Sequence, residues 1–286
     1  MSSSDAGPIE VLLSDECSVD APSELPLPDT RTMPSPFAFH GARNDLSLLY
    51  LSDACEADDV ENRALTFHGF RSSEEPGSGS SVMGANEAVC QRLAAPSLLS
   101  FFDPAAGEDV THAFYMRSVT AGGWELVSQR VAGAESGTGA PEALLRSEND
   151  TAWPPGEVDA ARVNERVLIS WTESAPTAGQ QFSQASGRLW VRQRISDGAG
   201  RELVPESEGQ HPESIAISAL GTEDSDKALI AWVNRLGEPA IYAQALTGQG
   251  VPSGERITLT NLVGSATSIS LVANEEGAAA VYTVVS

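Results

Sequence analysis

The stretch Ala228-Leu-Ile-Ala-Trp232, with Ile241-Tyr-Ala-Gln244 and the turn Gly248-Gln-Gly250 after it, determines how the chain is interpreted. The first segment is short, apolar and ended by an aromatic residue, which is typical of a β-strand rather than a helix. The second segment alternates apolar and polar residues, as a half-buried strand does. The glycines after it permit the positive φ angles that a tight connection between strands needs. The stretch therefore predicts two antiparallel strands followed by a hairpin turn.

The same pattern recurs along the chain, because five apolar runs each end in an aromatic residue. Successive aromatics are about 50 to 65 residues apart. We interpret each run as the second strand of a unit, with a first strand before most runs and third and fourth strands after them. Four strands recurring with this period are what the blades of a β-propeller show. We expect the five aromatics to occupy equivalent positions, mostly buried between blades; they are Tyr50, Tyr115, Trp171, Trp232 and Tyr282.

The Ala-Trp strand end, the Ile-Tyr-Ala-Gln strand and the glycine turn resemble the degenerate repeats of bacterial secreted or surface-anchored β-propeller proteins. Arg192-Gln-Arg-Ile-Ser-Asp-Gly198 after Ser170-Trp171 matches the same pattern, and the resemblance covers residues 34–286. It implies an extracytoplasmic location, although the N-terminus shows no signal-peptide pattern. It is a resemblance of fold and implies no catalytic residue, since propellers host many unrelated functions.

The predicted fold is therefore all-β: one β-propeller domain over residues 1–286, with five four-stranded blades preferred. The blades span residues 34–94, 95–150, 155–208, 212–262 and 265–286, and the last of them lacks a third strand in the sequence. Pro8-Ile-Glu-Val-Leu-Leu-Ser-Asp15 has the pattern of a fourth strand. We expect this segment, residues 8–15, to close the last blade and so remove exposed sheet edges. A truncated propeller or a different blade count is the alternative.

The charge of the chain excludes two classes of partner. Its 286 residues include 17 Lys+Arg and 40 Asp+Glu, which gives a net charge of −23. Such a surplus of acids opposes contact with nucleic-acid phosphates and with anionic lipid. No stretch approaches the ~18 uninterrupted apolar residues that suggest a membrane-spanning helix. We expect neither nucleic-acid binding nor membrane insertion, and the sequence leaves the oligomeric state open.

The three cysteines indicate a disulfide rather than a metal site. Cys17, Cys55 and Cys90 form no CxxC motif and have no histidine at zinc-site spacing, so we expect neither zinc nor another cofactor. Cys17 follows the closing strand and Cys55 follows the second strand of the first blade, so both should lie on one face. We expect Cys17 and Cys55 to lie close together and to pair in an oxidising compartment, with Cys90 unpaired. Ordinary buried thiols are the alternative.

Polar residues just after the second strands are the candidates for a ligand site, because loops on a rigid scaffold carry recognition. The ligand-binding candidates are Asp53, Arg117, Glu173, Asn234 and Arg235. Four acids in the first of these loops could bind calcium through carboxylate oxygens; they are Asp53, Glu56, Asp58 and Asp59. In both cases residues that merely solvate a loop are the alternative.

Two functions remain open at this point. None of the common hydrolase, nucleotide-binding or sialidase motifs occurs in the sequence. The degenerate repeats and long loops favour a non-catalytic binding or scaffold propeller that recognises a protein or a glycan. The alternative is a glycoside hydrolase or lyase with carboxylates in the axial pocket. Two carboxylates about 5 to 10 Å apart in a cleft would favour the enzyme.

Overall fold

The structure is a computed structural model. It describes residues 37–42, 45–52, 64–71, 80–81, 96–103, 107–119, 123–131, 139–147, 155–174, 186–196, 198–221, 225–236, 239–261, 265–273 and 277–285. Over these residues the chain consists of antiparallel strands and one 3-10 turn, Glu206–Glu208, without an α-helix. This part of the chain also holds no helix with the length and apolar character to cross a membrane. The predicted all-β class is confirmed.

The described strands form five antiparallel sheets in chain order. The first sheet contains β1 (Phe37–Ala42), β2 (Asp45–Ser52), β3 (Ala64–Arg71) and β4 (Ser80–Ser81). The second contains β5 (Ser97–Asp103), β6 (Glu108–Ser118), β7 (Trp124–Val131) and β8 (Glu142–Ser147). The third contains β9 (Pro155–Val163), β10 (Arg166–Ser174), β11 (Gly187–Gln193) and β12 (Arg201–Val204).

The fourth sheet contains β13 (Pro212–Ala219), β14 (Lys227–Asn234), β15 (Ala240–Thr247) and β16 (Ile257–Asn261). The fifth contains β17 (Ser265–Ala273) and β18 (Ala278–Val285). In each four-stranded sheet, neighbours in the sheet are also neighbours in the chain, which is the predicted meander. In the first sheet the fourth strand is the short β4. The expected closing strand, residues 8–15, lies outside the described residues.

The recurring aromatics occupy equivalent places on the second strands. Trp171 lies opposite Val158 of β9, and Trp232 lies opposite Ile215 of β13. Tyr115, Trp171 and Trp232 are all fully buried. Each can be buried because one face of its sheet packs against the preceding sheet, where a large aromatic fills the space between the two. The prediction of burial between blades is confirmed for these three residues.

Tyr282 and Tyr50 do not follow the same pattern. Tyr282 sits at the corresponding place on β18, opposite Ile269, but 41% of its surface is exposed. The fifth sheet has two described strands, so less protein surrounds Tyr282 than surrounds Trp232. Tyr50 lies on β2, and its burial is outside what the structure describes.

Apolar layers separate consecutive sheets, because successive residues of a strand point to opposite faces. On β10, Ile169 packs in a cluster with Phe114 of the second sheet. Its neighbour Leu168 packs in a second cluster with Ile230 of the fourth sheet. A third cluster joins the fourth sheet to Ile269 of the fifth. The second to fifth sheets therefore pack face to face in chain order.

The first strands lie next to one another across the sheets. β1 contacts β5, β5 contacts β9, β9 contacts β13, and β13 contacts β17. A series of sheets that touch through their first strands and pack face to face is the arrangement of propeller blades around an axis. The five-bladed ring stays a prediction, since the fifth sheet is incomplete over the described residues.

Candidate functional site

The described candidate residues lie at the same end of their sheets, where second strands finish and first strands begin. In the third sheet Glu173 pairs with Pro155, the first residue of β9. In the fourth sheet Asn234 pairs with Pro212, the first residue of β13. The remaining ligand and calcium candidates and the three cysteines lie outside the described residues, so their predictions stay untested; they are Asp53, Glu56, Asp58, Asp59, Cys17, Cys55 and Cys90.

Arg117 lies on β6 and binds within its own sheet. Its guanidinium donates to Glu125 of β7, with Nε 3.0 Å and Nη2 2.9 Å from Oε2. Arg146 of β8 binds the other oxygen of the same carboxylate. Burial opposes the charge of Glu125, but the hydrogen bonds from Arg146 and Arg117 outweigh it and hold the pKa of this carboxyl below its usual value. By binding the same Glu125 carboxylate, Arg117 and Arg146 tie three strands of one blade together.

Glu173 is an internal acceptor for two tryptophans. Trp171 Nε1 donates to its Oε1 at 3.2 Å, and Trp190 Nε1 donates to its Oε2 at 3.1 Å. The two indole rings are stacked, with centroids 6.0 Å apart and planes inclined by 6°. Burial raises the pKa of Glu173, and both indole hydrogen bonds oppose the rise. Its buried carboxylate orients this aromatic pair.

Asn234 and Arg235 lie beside two residues at the start of β13. We call β13 and the other first strands inner strands, because they contact one another around the axis. Asn234 Oδ1 accepts the backbone N–H of His211 at 2.8 Å, and Nδ2 donates to the carbonyl of Leu236 at 2.7 Å. Arg235 Nε lies 2.5 Å from Oε2 of Glu213. The other oxygen of Glu213 lies 3.5 Å from Nε2 of the buried His211. Glu213 is therefore held between two basic side chains while remaining partly accessible.

Glu157, on the neighbouring inner strand β9, is the residue that the sequence analysis missed. Its Oε2 accepts the backbone N–H of Ile215 in β13 at 3.0 Å. Its own N–H donates to Thr172 Oγ1 at 3.0 Å, which fixes the strand at this point. Burial raises the pKa of Glu157 to about 7, and the nearby acids Asp159 and Glu213 add to the rise. As a residue Glu157 is only partly buried, so it is not sealed between the blades.

Asp159 follows on the same face of β9 and connects three inner strands. Its Oδ1 accepts the hydroxyl of Ser97 from β5 at 2.8 Å, and its Oδ2 accepts the N–H of Ile217 from β13 at 2.8 Å. Burial raises its pKa to about 6, against the effect of these hydrogen bonds. In an extended strand, residues two apart are separated by about 7 Å. Two protonatable carboxyls therefore lie about that far apart between the third and fourth blades.

The bond from Glu157 to the next blade has an uncharged counterpart one blade further on. Ser214 precedes Ile215 just as Glu157 precedes Val158, and both following residues lie opposite a Trp of the second strand. Ser214 Oγ accepts the N–H of Ile269 in β17 at 3.2 Å. At this next contact between blades, a serine accepts the backbone N–H that a glutamate accepts in the preceding one. Acids at this place are therefore not a requirement of the blade contact.

The arrangement provides two carboxyl groups that could act together in acid–base chemistry. Glu157 can hold a proton near neutral pH, while the Glu213 carboxylate is paired with Arg235. Two carboxyls in unlike surroundings are characteristic of acid and base pairs. Among the described residues, no three acidic, histidine or cysteine side chains converge as they would around a metal ion. The alternating acids of Glu157-Val-Asp159, in a strand that should be apolar and small, were the available sequence signal.

No protein-family model matches the chain, and no curated protein matches it in sequence. Solved structures do resemble it in fold. A thermostable family-43 glycoside hydrolase aligns with a TM-score of 0.50 at 10% identity, covering 87% of this chain and 83% of that one. An arabinoxylan arabinofuranohydrolase of family 43 from Bacillus subtilis aligns with a TM-score of 0.49 at 9% identity, over 87% and 58% of the two chains.

A third structure, the GH43_1 enzyme from Xanthomonas citri, aligns with a TM-score of 0.46 at 11% identity, over 88% of this chain and 87% of that one. Identities this low concern the fold alone. That enzyme is a β-propeller glycoside hydrolase. The packed four-stranded sheets and this likeness agree: the chain has a β-propeller fold.

Proposed function

We propose that this β-propeller is a glycoside hydrolase, with Glu157 as the proton donor and Glu213 as the second carboxylate. The observation that carries the proposal is the position of Glu157. Glu157 is a partly exposed residue on the inner strand of a blade, and burial of its carboxyl raises the pKa to about 7. A general acid works best when its pKa lies near the working pH, because it must be protonated and yet able to release its proton.

Glu213 is suited to the complementary role. Arg235 Nε lies 2.5 Å from its Oε2 and holds the carboxylate in place. Glu213 lies two residues before Ile215, whose N–H binds Glu157, and the two acids are close enough to interact electrostatically. Glycosidases place their carboxyl groups about 5 to 10 Å apart, on either side of the bond that is cleaved. The family-43 glycoside hydrolase with a similar fold makes this reaction class the first to test.

The test is hydrolysis of 4-nitrophenyl glycosides of pentoses and hexoses, in furanose and pyranose forms and both anomeric configurations. We expect turnover of at least one glycoside, falling as the pH rises above about 7, because the acid then loses its proton. Glu157→Gln should lower kcat by about 10²-fold or more. Glu255→Gln is the matched control, since Glu255 is exposed. Turnover that survives in Glu157→Gln would refute the assigned role.

A second function, binding of a glycan without cleavage, is favoured by a separate observation. Both oxygens of Asp159 are occupied by protein donors, and so are both oxygens of Glu173. Side chains that bind only within the protein give rigidity rather than chemistry. If every glycoside is left intact, a glycan array with the same protein distinguishes this function, and binding should then be equal for the wild type and Glu157→Gln.

An extracytoplasmic location belongs to the same proposal, and a glycan is the partner that suits both functions. The extracytoplasmic location is supported by the resemblance of the repeats to secreted propellers. The location predicts that Cys17 and Cys55 are oxidised in protein isolated without reductant.

A further inference from the structure

Ser214 is a buried serine near the start of the inner strand β13. It follows Glu213 in the chain, and Ile215 after it donates its backbone N–H to Glu157 at 3.0 Å. Only 6% of Ser214 is exposed. A buried hydroxyl needs hydrogen-bond partners within the protein, because leaving it unbonded costs free energy. We therefore ask which groups the hydroxyl of Ser214 binds.

The fifth blade fixes the oxygen of this hydroxyl. The backbone N–H of Ile269, in β17, donates to Ser214 Oγ at 3.2 Å, and Ile269 is itself buried. A serine hydroxyl has one hydrogen to donate and two lone pairs that accept. The bond from Ile269 uses a lone pair and leaves the hydrogen available for an acceptor elsewhere. Because β17 is a paired strand, its backbone holds the oxygen in a fixed place.

The acceptor for this hydrogen is the Glu157 carboxyl. Burial raises the pKa of Glu157 to about 7, and hydrogen bonds from the backbone of Ile215 and from the side chain of Ser214 oppose the rise. A carboxylate only accepts hydrogen bonds, so the hydroxyl of Ser214 is the donor. Two consecutive residues of β13 therefore hold Glu157, one through its backbone and the other through its side chain.

The second acid of β9 is held in the same way. Ser97 of β5 donates its hydroxyl to Asp159 Oδ1 at 2.8 Å, and Ile217 of β13 donates its backbone N–H to Oδ2 at 2.8 Å. Each of these acids thus receives one serine hydroxyl and one backbone N–H of β13. Through Ser214, the hydrogen bonds of Glu157 extend to the backbone of the fifth blade.

Two other acids lie close enough to act on Glu157. They are Asp159 of its own strand and Glu213 of β13, and both raise its pKa. Two basic side chains lie against Glu213; they are His211 and Arg235. A hydroxyl donor favours the ionised form of a carboxyl without adding a charge. Ser214 thus opposes the combined effect of burial and of the neighbouring acids on Glu157.

We propose that Ser214 is a positioning residue for Glu157: its hydroxyl, fixed by the fifth blade, orients the carboxyl and helps it to release its proton. This inference rests on the proposed function of Glu157 as the proton donor. A general acid must hold its proton and also give it up, and burial among other acids opposes the second step. The bond from Ser214 is strongest to the ionised carboxylate, which remains after the proton has passed to the leaving group.

The first experiment titrates Glu157 by NMR, in the full-length chain with glutamate ¹³C-labelled at the side-chain carboxyl. Ser214→Ala removes the donor, so the Glu157 midpoint should rise from about 7 by about one pH unit. Ser214→Thr keeps the hydroxyl and should retain the midpoint near 7. Ser218→Ala is the matched control, because Ser218 lies on the same strand and donates to the carbonyl of Ala219. An unchanged midpoint in Ser214→Ala, or an equal rise in Ser214→Thr, would overturn the proposal.

The wild type provides a second readout, which does not depend on the folding of a Ser214 variant. The amide resonance of Ile269 should shift with the same midpoint as the Glu157 carboxyl, because Ser214 Oγ connects the two groups. The shift should disappear in Glu157→Gln. The amide of Leu271, two residues further along β17, should not follow this midpoint. An Ile269 amide that does not respond to the titration would overturn the proposal.

Kinetics separate this inference from the proposed function. On a glycoside that the wild type hydrolyses, the high-pH limb of kcat should move up by about one pH unit in Ser214→Ala, and kcat at the optimum should fall about tenfold with little change in KM. Ser214→Thr should behave as the wild type does. Turnover with an unmoved limb in Ser214→Ala would overturn this inference alone. A raised Glu157 midpoint without turnover of any glycoside would overturn the proposed function, while the contact of Ser214 with Glu157 would stand.

Discussion

Asp159→Asn tests the hydrogen-bonded contact between the inner strands of three blades. The substitution removes the charge and keeps the shape. The amide oxygen can still accept the N–H of Ile217, and the amide nitrogen can donate to the hydroxyl of Ser97. The bond that Oδ1 accepts from the N–H of Ala160 is lost, which adds a constant difference at every pH. The variant should therefore fold, and its difference from the wild type should report the burial of a charge.

The magnitude follows from the shift of the pKa. Burial raises the pKa of Asp159 from 3.8 to about 6. A shift of about two pKa units corresponds to about 3 kcal/mol. Because the folded state holds the proton more tightly, this stabilisation is complete below pH 3.8 and is lost as the pH rises through 6. In the wild type Asp159 thus lowers the free energy of unfolding by about 3 kcal/mol between pH 4 and pH 7.

Urea unfolding followed by circular dichroism between pH 4 and pH 7.5 measures the effect. The other carboxyls contribute equally to both proteins, so the relevant quantity is the difference between the wild type and Asp159→Asn. This difference should shift in favour of the variant by about 3 kcal/mol as the pH rises. Glu255→Gln, on the surface, should show no such shift. A difference that stays constant within about 0.5 kcal/mol would refute the reasoning.

Three further predictions concern the rest of the fold. Glu173→Gln loses one of two acceptors for the tryptophan indoles, so near-ultraviolet circular dichroism should weaken and stability should fall by about 1 to 3 kcal/mol; an unchanged spectrum would contradict this. Gly200→Ala should destabilise more than Gly254→Ala, because both have positive φ but only Gly200 would place a Cβ 2.9 Å from a tryptophan; equal urea midpoints would contradict the contact. Mass spectrometry of peptides from unreduced protein should find Cys17 linked to Cys55, and free thiols at both would reject the pairing.

The blade pattern could be predicted from the sequence because it depends on local features. Each second strand is a short apolar run ended by an aromatic, and packing between blades requires such a residue there. The first strand of the third unit, around Glu157, is hard to recognise in the sequence, yet it forms the nine-residue strand β9. Its acids obscure the apolar pattern, and the backbone N–H groups of β13 that bind them belong to a strand far along the chain. The sequence pattern does not show which donors face a side chain.

The candidate site could be predicted only in part, for a related reason. The position after a second strand selected Asn234 and Arg235, which lie with Glu213 at the end of the fourth blade, and their role in binding a ligand stays a prediction. The same rule identified Arg117 and Glu173, whose partners are residues of their own sheets. A position at a strand end determines the face of the propeller on which a residue lies. Whether its side chain meets a ligand or a neighbouring strand depends on cross-strand register.

The most direct test of the account is a titration of the Glu157 carboxyl itself. Glutamate labelled with ¹³C at the side-chain carboxyl allows each group to be followed by NMR, and the resonance missing from Glu157→Gln identifies the residue. The account predicts a midpoint near pH 7, far above the ordinary value of 4.5. A midpoint near 4.5 would show that Glu157 is ionised at neutral pH and would contradict its role as proton donor.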